Sequence, residues 1–241
     1  MFYRENSQLS TPPSFSLSGK ISVAAKYFFD VVFPKKCFSC KKEGAAFCAL
    51  CRGKIPLETS PLPEDIISVW RYDNPVIQKA IWRLKYRGKQ ELAHDLAESM
   101  HDALLEYISE DTQFENTAEN SNQKYVIIPI PVHASRRKER GYNQCELLGD
   151  ELVRINPRLF VIEKNVLIKT KATKSQVSTM SREKRLKNIH GSFGVMNAKK
   201  ITGKNILVVD DIMTTGATLA EAKKVLLKAG AKKVTLVTLA H

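Results

Sequence analysis

Apolar positions along the chain follow two alternating periods. Short apolar or alternating runs bounded by turn residues predict strands at 66–72 (IISVWRY), 125–132 (YVIIPIPV), 165–170 (NVLIKT), 206–211 (ILVVDD) and 232–240 (KKVTLVTLA). Between them, spacing of three and four predicts helices over 75–88, 91–108, 143–155 and 217–230, the last ending at Gly230. Strands that alternate with helices imply an α/β fold, a mainly parallel sheet flanked by helices. Residues 109–123 are acidic and polar without an apolar period, which predicts a solvated loop. Residues 1–19 are polar and carry Pro12 and Pro13; residues 20–33 predict a short amphipathic packing helix that Pro34 stops.

Composition narrows the setting. The chain has 241 residues, 43% of them hydrophobic, enough for one substantial core with a small accessory module. No apolar run approaches the length that spans a bilayer, and Glu5 and its polar neighbours occupy the place of a secretory h-region. A cytoplasmic protein is the expectation, and there five cysteines do not read as a disulfide framework.

Four of those cysteines stand in CFSCKKEGAAFCALC, residues 37–51. Each C-x-x-C lets two thiolates reach one ion, and a hairpin turning at Gly44 brings the second pair round. Cys37, Cys40, Cys48 and Cys51 are therefore the expected ligands of a structural Zn²⁺, with no position left open for water. Cys145 falls on a predicted helix and reads as buried and inert. The expected organisation is an extension over 1–34, a zinc module over 35–62 and an α/β domain over 63–241.

The sharpest chemistry lies in ILVVDDIMTTGAT, residues 206–218. In an open parallel sheet ligands bind beyond the carboxyl ends of the strands. Asp210 and Asp211 fall there, and the small hydroxyl-rich loop after them opens a helix. Backbone N–H groups at a helix N-terminus favour an anion, and Thr214, Thr215 and Thr218 add hydroxyls. Gly216 is expected to let the backbone come close. Two carboxylates would repel a phosphate, but they suit vicinal hydroxyls, so a phosphorylated sugar satisfies both halves. A Walker B element needs a Walker A partner, which none of the four Gly-Lys pairs provides. A receiver-type pocket lacks a separate phospho-acceptor Asp.

The segment VVDDIMTTGAT resembles the phosphoribosyl pyrophosphate (PRPP) motif of type I phosphoribosyltransferases. The resemblance implies that Asp210 and Asp211 bind the ribose hydroxyls, and that Thr214, Thr215, Gly216, Ala217 and Thr218 bind the 5′-phosphate. IPIPVHASRRKERGYNQ (128–144), LKYRG (84–88) and TKSQVSTMSREKRLKNIHGSF (173–193) are similar to segments of the ComF family of competence proteins. The last carries Thr173, Gln176, Arg185, Asn188 and Phe193, with Met180 where Leu is usual. A four-Cys module ahead of the transferase-like domain is also that family's layout. The likeness implies a role in DNA uptake during natural transformation, alongside other uptake proteins.

Charge fits both halves of that expectation. The net charge is +13, and residues 164–204 hold eleven Lys/Arg against Glu183 alone. Arg136, Arg137, Lys138, Arg140, Lys85 and Arg185 are candidates for contact with a pyrophosphate, whose charge Mg²⁺ would share, or with a single-stranded DNA backbone. Tyr86 and Tyr142 could stack bases. Residues 171–191 would form a flap over the pocket. The alternative function is a phosphoribosyltransferase acting on a small-molecule acceptor.

Overall fold

The computed structural model describes residues 34–86, 91–110, 124–170 and 190–241. Among these, β1 (Ile66–Trp70), β2 (Tyr125–Pro129), β3 (Phe160–Ile162), β6 (Asn205–Ile212) and β7 (Lys233–Ala240) form one parallel sheet in the order β1-β7-β6-β2-β3. Strands β4 (Leu167–Lys169) and β5 (Phe193–Val195) pair antiparallel on their own. The helices are α1 (Ala49–Arg52), α2 (Pro75–Tyr86), α3 (Leu92–Glu110), α4 (Ala134–Arg140), α5 (Gln144–Ile155) and α6 (Ala217–Lys228).

The fold class is the expected one, with three local differences. The strand expected at 165–170 does not join the main sheet but forms the β4–β5 hairpin. Strand β3, only three residues long, takes the outer place beside β2. Residues 134–140, to which the apolar pattern assigns no element, form a helix, because His133 caps its start and Gly141, at φ 80°, ends it. Residues 1–33, the 111–123 part of the expected loop and the 171–189 part of the expected flap lie outside the described residues.

Both faces of the main sheet are buried, which is why its strands read as continuous apolar runs. Ile206 and Val208 of β6 join Val126, Ile128 and Leu236 against Leu219, Ala222 and Leu226 of α6. Leu207 and Val209 join Ile127, Val237 and Leu239 against Leu84 of α2, Leu96 and Met100 of α3, and Leu148 of α5.

The cysteine-bearing segment packs into this second cluster through Phe38 and Phe47. Residues Lys36–His241 accordingly form one compact unit. A buried polar clasp fixes the junction. Asp95 on α3 accepts from the Phe47 N–H at 2.7 Å, and Arg52 donates to the Phe47 carbonyl at 3.0 Å and to Glu98 at 2.6 Å. Burial pushes the Asp95 carboxyl up, against the Phe47 N–H and Arg52. Asp95→Ala should cost about 2–3 kcal/mol, because it strands the buried Phe47 N–H and removes the Asp95–Arg52 ion pair at 3.7 Å. Urea denaturation of the variant checks this, and an unchanged midpoint would show the clasp to be idle.

Candidate functional site

Strand β6 carries Asp210 and Asp211 just before its last residue, Ile212, beside the carboxyl end of β2. Strand alternation sends the two side chains to opposite faces. Asp210 lies on the α6 face, where its Oδ1 accepts from the Asp211 N–H at 2.8 Å and lies 3.4 Å from the Cys145 Sγ. Asp211 lies on the α2 face, where its Oδ2 pairs with the Lys85 Nζ at 2.9 Å. Asp211 is only 4% exposed, so the pair is no solvated surface feature.

Burial, and then the Asp211 carboxylate, push Asp210 up to about 7 against the pull of Lys85. Burial alone would lower Lys85, but the two carboxylates hold it above the ordinary lysine range. Burial, then Asp210 and Asp211, hold Cys145 well above the usual thiol range. It therefore stays a thiol, as the sequence reading expects, and is no nucleophile.

After β6 the Met213 N–H bonds the Ala240 carbonyl at 2.9 Å, and the chain turns through Thr214, Thr215 and Gly216 into α6. Gly216 sits at the N-cap with φ 70° and, as a glycine, offers no side-chain cap of its own. The Thr215 Oγ1 stands 3.5 Å from the Ala217 nitrogen, a long contact. The first N–H groups of α6, Ala217 and Thr218 among them, are the kind of donors that lack intrahelical partners and favour an anion. A Cβ at Gly216 would meet the Met213 Sδ at an ordinary 3.5 Å. Glycine is needed here for its left-handed backbone rather than for space.

The basic candidates divide. Arg137 donates to both carboxylate oxygens of Glu146, at 2.8 and 3.1 Å. Arg140 donates to Gln144 at 2.9 Å and to the Tyr86 hydroxyl at 3.2 Å, its guanidinium 4.8 Å from the Tyr86 ring centroid. Lys138 is exposed. Lys85 is turned inward to Asp211. Arg185 lies outside the described residues, with Thr173, Gln176 and Asn188. Tyr142 is half-buried and donates to the Leu84 carbonyl.

Two residues that the sequence reading did not single out belong to the picture. Trp82 of α2 is 47% exposed, and its ring lies 6.1 Å from that of Tyr86, itself 53% exposed. Helical spacing could have flagged it, since positions 82 and 86 share a face away from Ile77, Ile81 and Leu84. Lys169 of β4 is lowered by burial and then by Arg136, and it also senses Asp210. It was hidden because the hairpin that carries it was assigned to the main sheet.

The thiol sulfurs of Cys37, Cys40, Cys48 and Cys51 all lie within 4.8 Å of one another, those of Cys40 and Cys48 at 3.6 Å. A tetrahedral Zn–S shell has edges of about 3.8 Å, so the four can hold a metal ion such as zinc. Burial alone would raise Cys37, but backbone N–H groups of Cys40, Cys48 and Ser39 bring it down to about 6, whereas Cys48, despite the Cys51 N–H, is pushed up to about 11 by burial and by the other three thiols. Lys41 at φ 68° and Gly44 at φ 110° make the turns between the two pairs.

The phosphoribosyl transferase domain model matches residues 145–241, from Cys145 through β6, its loop, α6 and β7. Competence protein F of Haemophilus influenzae is 26% identical over 215 residues, 82% of this chain and 86% of that protein. Competence protein ComFC of Bacillus subtilis is 28% identical over 215 residues, 81% of this chain and 79% of that one. DNA utilization protein YhgH of Salmonella typhimurium is 27% identical over 179 residues, covering 74% and 72%. The chain is a ComF-family protein with a phosphoribosyltransferase domain. In this ComF-family chain the domain match takes in both acids and the Gly216 loop. Lys85, Trp82, Tyr86, Arg140 and the four cysteines all come before it.

Proposed function

We propose that this ComF-family protein binds a phosphoribosyl ligand, with PRPP as the reference compound, and handles single-stranded DNA during uptake into the cytoplasm. The observation that carries the first half is the order of groups at one sheet end. Paired carboxylates stand near the carboxyl end of β6, and a helix N-terminus entered through left-handed Gly216 follows within a short loop. The acids would accept from ribose hydroxyls, and the loop from Thr214 to Thr218 would take the 5′-phosphate. Mg²⁺ would arrive on the pyrophosphate, and Zn²⁺ would sit among the four cysteines as a structural ion. Calorimetry with PRPP and Mg²⁺ tests this half, and a silent titration of folded protein would end it.

The second half is supported by the names of the relatives and by one surface of α2. Trp82 and Tyr86 offer adjacent exposed rings, and Arg140 stacks on Tyr86. Rings interleaved with cations bind single strands by stacking bases while the charges meet phosphates. Removing both rings, in Trp82→Ala/Tyr86→Ala, should weaken binding of a fluorescent oligothymidylate about tenfold or more, since stacking contributes roughly 1–3 kcal/mol per base. The slope of log affinity against log salt should hold, because no charge has changed. Anisotropy titrations read both quantities. Unaltered affinity in the double variant would remove this surface from the proposal.

A further inference from the structure

We propose that Lys85 is a positioning residue of the sugar site: it holds one oxygen of Asp211 and makes the acidic pair an acceptor of two hydroxyls rather than a seat for a divalent cation. This rests on the phosphoribosyl reading of the same site. Two adjacent carboxylates at a strand end, one of them buried, ordinarily call for a cation. Here the cation is built in. Lys85 comes from α2, on the far side of a long stretch of chain, and its Nζ reaches Asp211 Oδ2 at 2.9 Å with its side chain only 20% exposed.

The number of remaining acceptor oxygens matches the ligand. Asp210 Oδ1 is taken by the Asp211 N–H and Cys145, and Asp211 Oδ2, buried and without a directed hydrogen bond, is held by the charge of the Lys85 ammonium at 2.9 Å. Among the described residues, Asp210 Oδ2 and Asp211 Oδ1 make no hydrogen bond. Two open oxygens on neighbouring residues suit two vicinal hydroxyls, each of which donates one hydrogen bond. A lysine is the right group for this, because its point charge engages one oxygen where an arginine fork would engage two. A dication on the pair would have to share Asp211 with an ammonium held beside it, which is repulsive.

Lys85 also sets the charge of the other acid. The groups that act on Asp210 are Asp211 on its own strand, Cys145 from α5, Lys85 from α2 and, more weakly, Lys169 from β4. Lys85 and Lys169 favour the carboxylate; Asp211 and burial oppose it. Without Lys85 the pair would carry more repulsion, and Asp210 would need a higher pH to become a full acceptor.

The test uses the full chain, with ribose 5-phosphate and PRPP titrated into wild type, Lys85→Met, Lys85→Gln and Lys85→Arg between pH 6 and pH 9. Thermal melts confirm folding. In the Met and Gln variants ribose 5-phosphate should bind at least tenfold more weakly at pH 7, and the pH midpoint of binding should move up by about a unit. Lys85→Arg should restore the midpoint. Without sugar, paramagnetic Mn²⁺ should find a site in Lys85→Gln that Asp211→Asn then removes, and no such site in wild type. Sugar binding that is unchanged in the variants overturns the proposal, and so does a loss of affinity with an unmoved midpoint. Mn²⁺ bound by wild type at an Asp211-dependent site overturns it without recourse to any Lys85 variant. Wild type that binds neither sugar fails at the phosphoribosyl reading itself, and takes this inference with it.

Discussion

Replacing Asp210 and Asp211 together with Ala should weaken PRPP binding about a hundredfold or more. Each carboxylate would accept a hydroxyl, and hydrogen bonds to charged groups contribute roughly 1.5–3 kcal/mol apiece. Two such bonds exceed the ~2.8 kcal/mol that corresponds to a factor of one hundred. The double variant also leaves the Lys85 ammonium without its partner, so folding must be followed separately. Asp210→Asn provides the control. The Asp210 carboxyl is raised to about 7 from an ordinary 3.8. Between those values the folded protein holds a proton that the unfolded chain has released, so wild-type stability falls as pH rises through that window. A neutral Asn escapes the loss. Asp210→Asn should therefore melt no lower than wild type at pH 8 while binding PRPP more weakly. If the folded double variant binds PRPP as wild type does, the pocket has been wrongly placed.

The second large effect is expected at the cysteines. Purified under reducing conditions, the protein should carry one tightly held Zn²⁺ per chain, and Cys37→Ser or Cys48→Ser should lose it. Metal binding to a small site supplies folding free energy directly, so the loss is felt as instability. Here it would spread beyond the turns, because Phe38 and Phe47 belong to the same core cluster as α2 and α3. The Phe38 ring also lies 5.1 Å from the Arg83 guanidinium of α2. Metal analysis and thermal melts should move together, with the melting temperature down by several degrees in either variant. Protein that is fully folded and free of zinc would refute the assignment.

The parts legible in the sequence are those where one local rule decides. Both-face burial makes 206–209 and 125–128 apolar without a break, and a parallel sheet follows. Paired C-x-x-C spacing is enough to bring four sulfurs together. The parts that were not legible depend on neighbours far along the chain. Strand β3 is too short to show a period, and its pairing with β2 is visible only in the sheet. Residues 165–170 have strand composition, yet their partner is Phe193–Val195, which no local pattern specifies. Lys85 reads as one basic residue among several; only folding turns it to Asp211. Arg137 reads as a phosphate contact, and only folding shows that Glu146 meets both terminal nitrogens of its fork. Residue type marks Asp210 and Asp211 as an acidic pair near a strand end, whereas the charge state of each depends on which face the pleat gives it.

The margins of the main sheet have a consequence for how this protein meets others. On one side β1 is shielded: Leu57 bridges Trp70, and the Glu58 N–H donates to the Val69 carbonyl at 3.0 Å. On the other side β3 offers only the three residues Phe160–Ile162. A long bare strand margin is a template onto which another chain can add its own strand. Among the described residues neither margin of the main sheet provides one, so strand-on-strand addition to that sheet has little to build on. A partner that met the exposed face of α2 would instead find side chains, two aromatic rings and a stacked guanidinium.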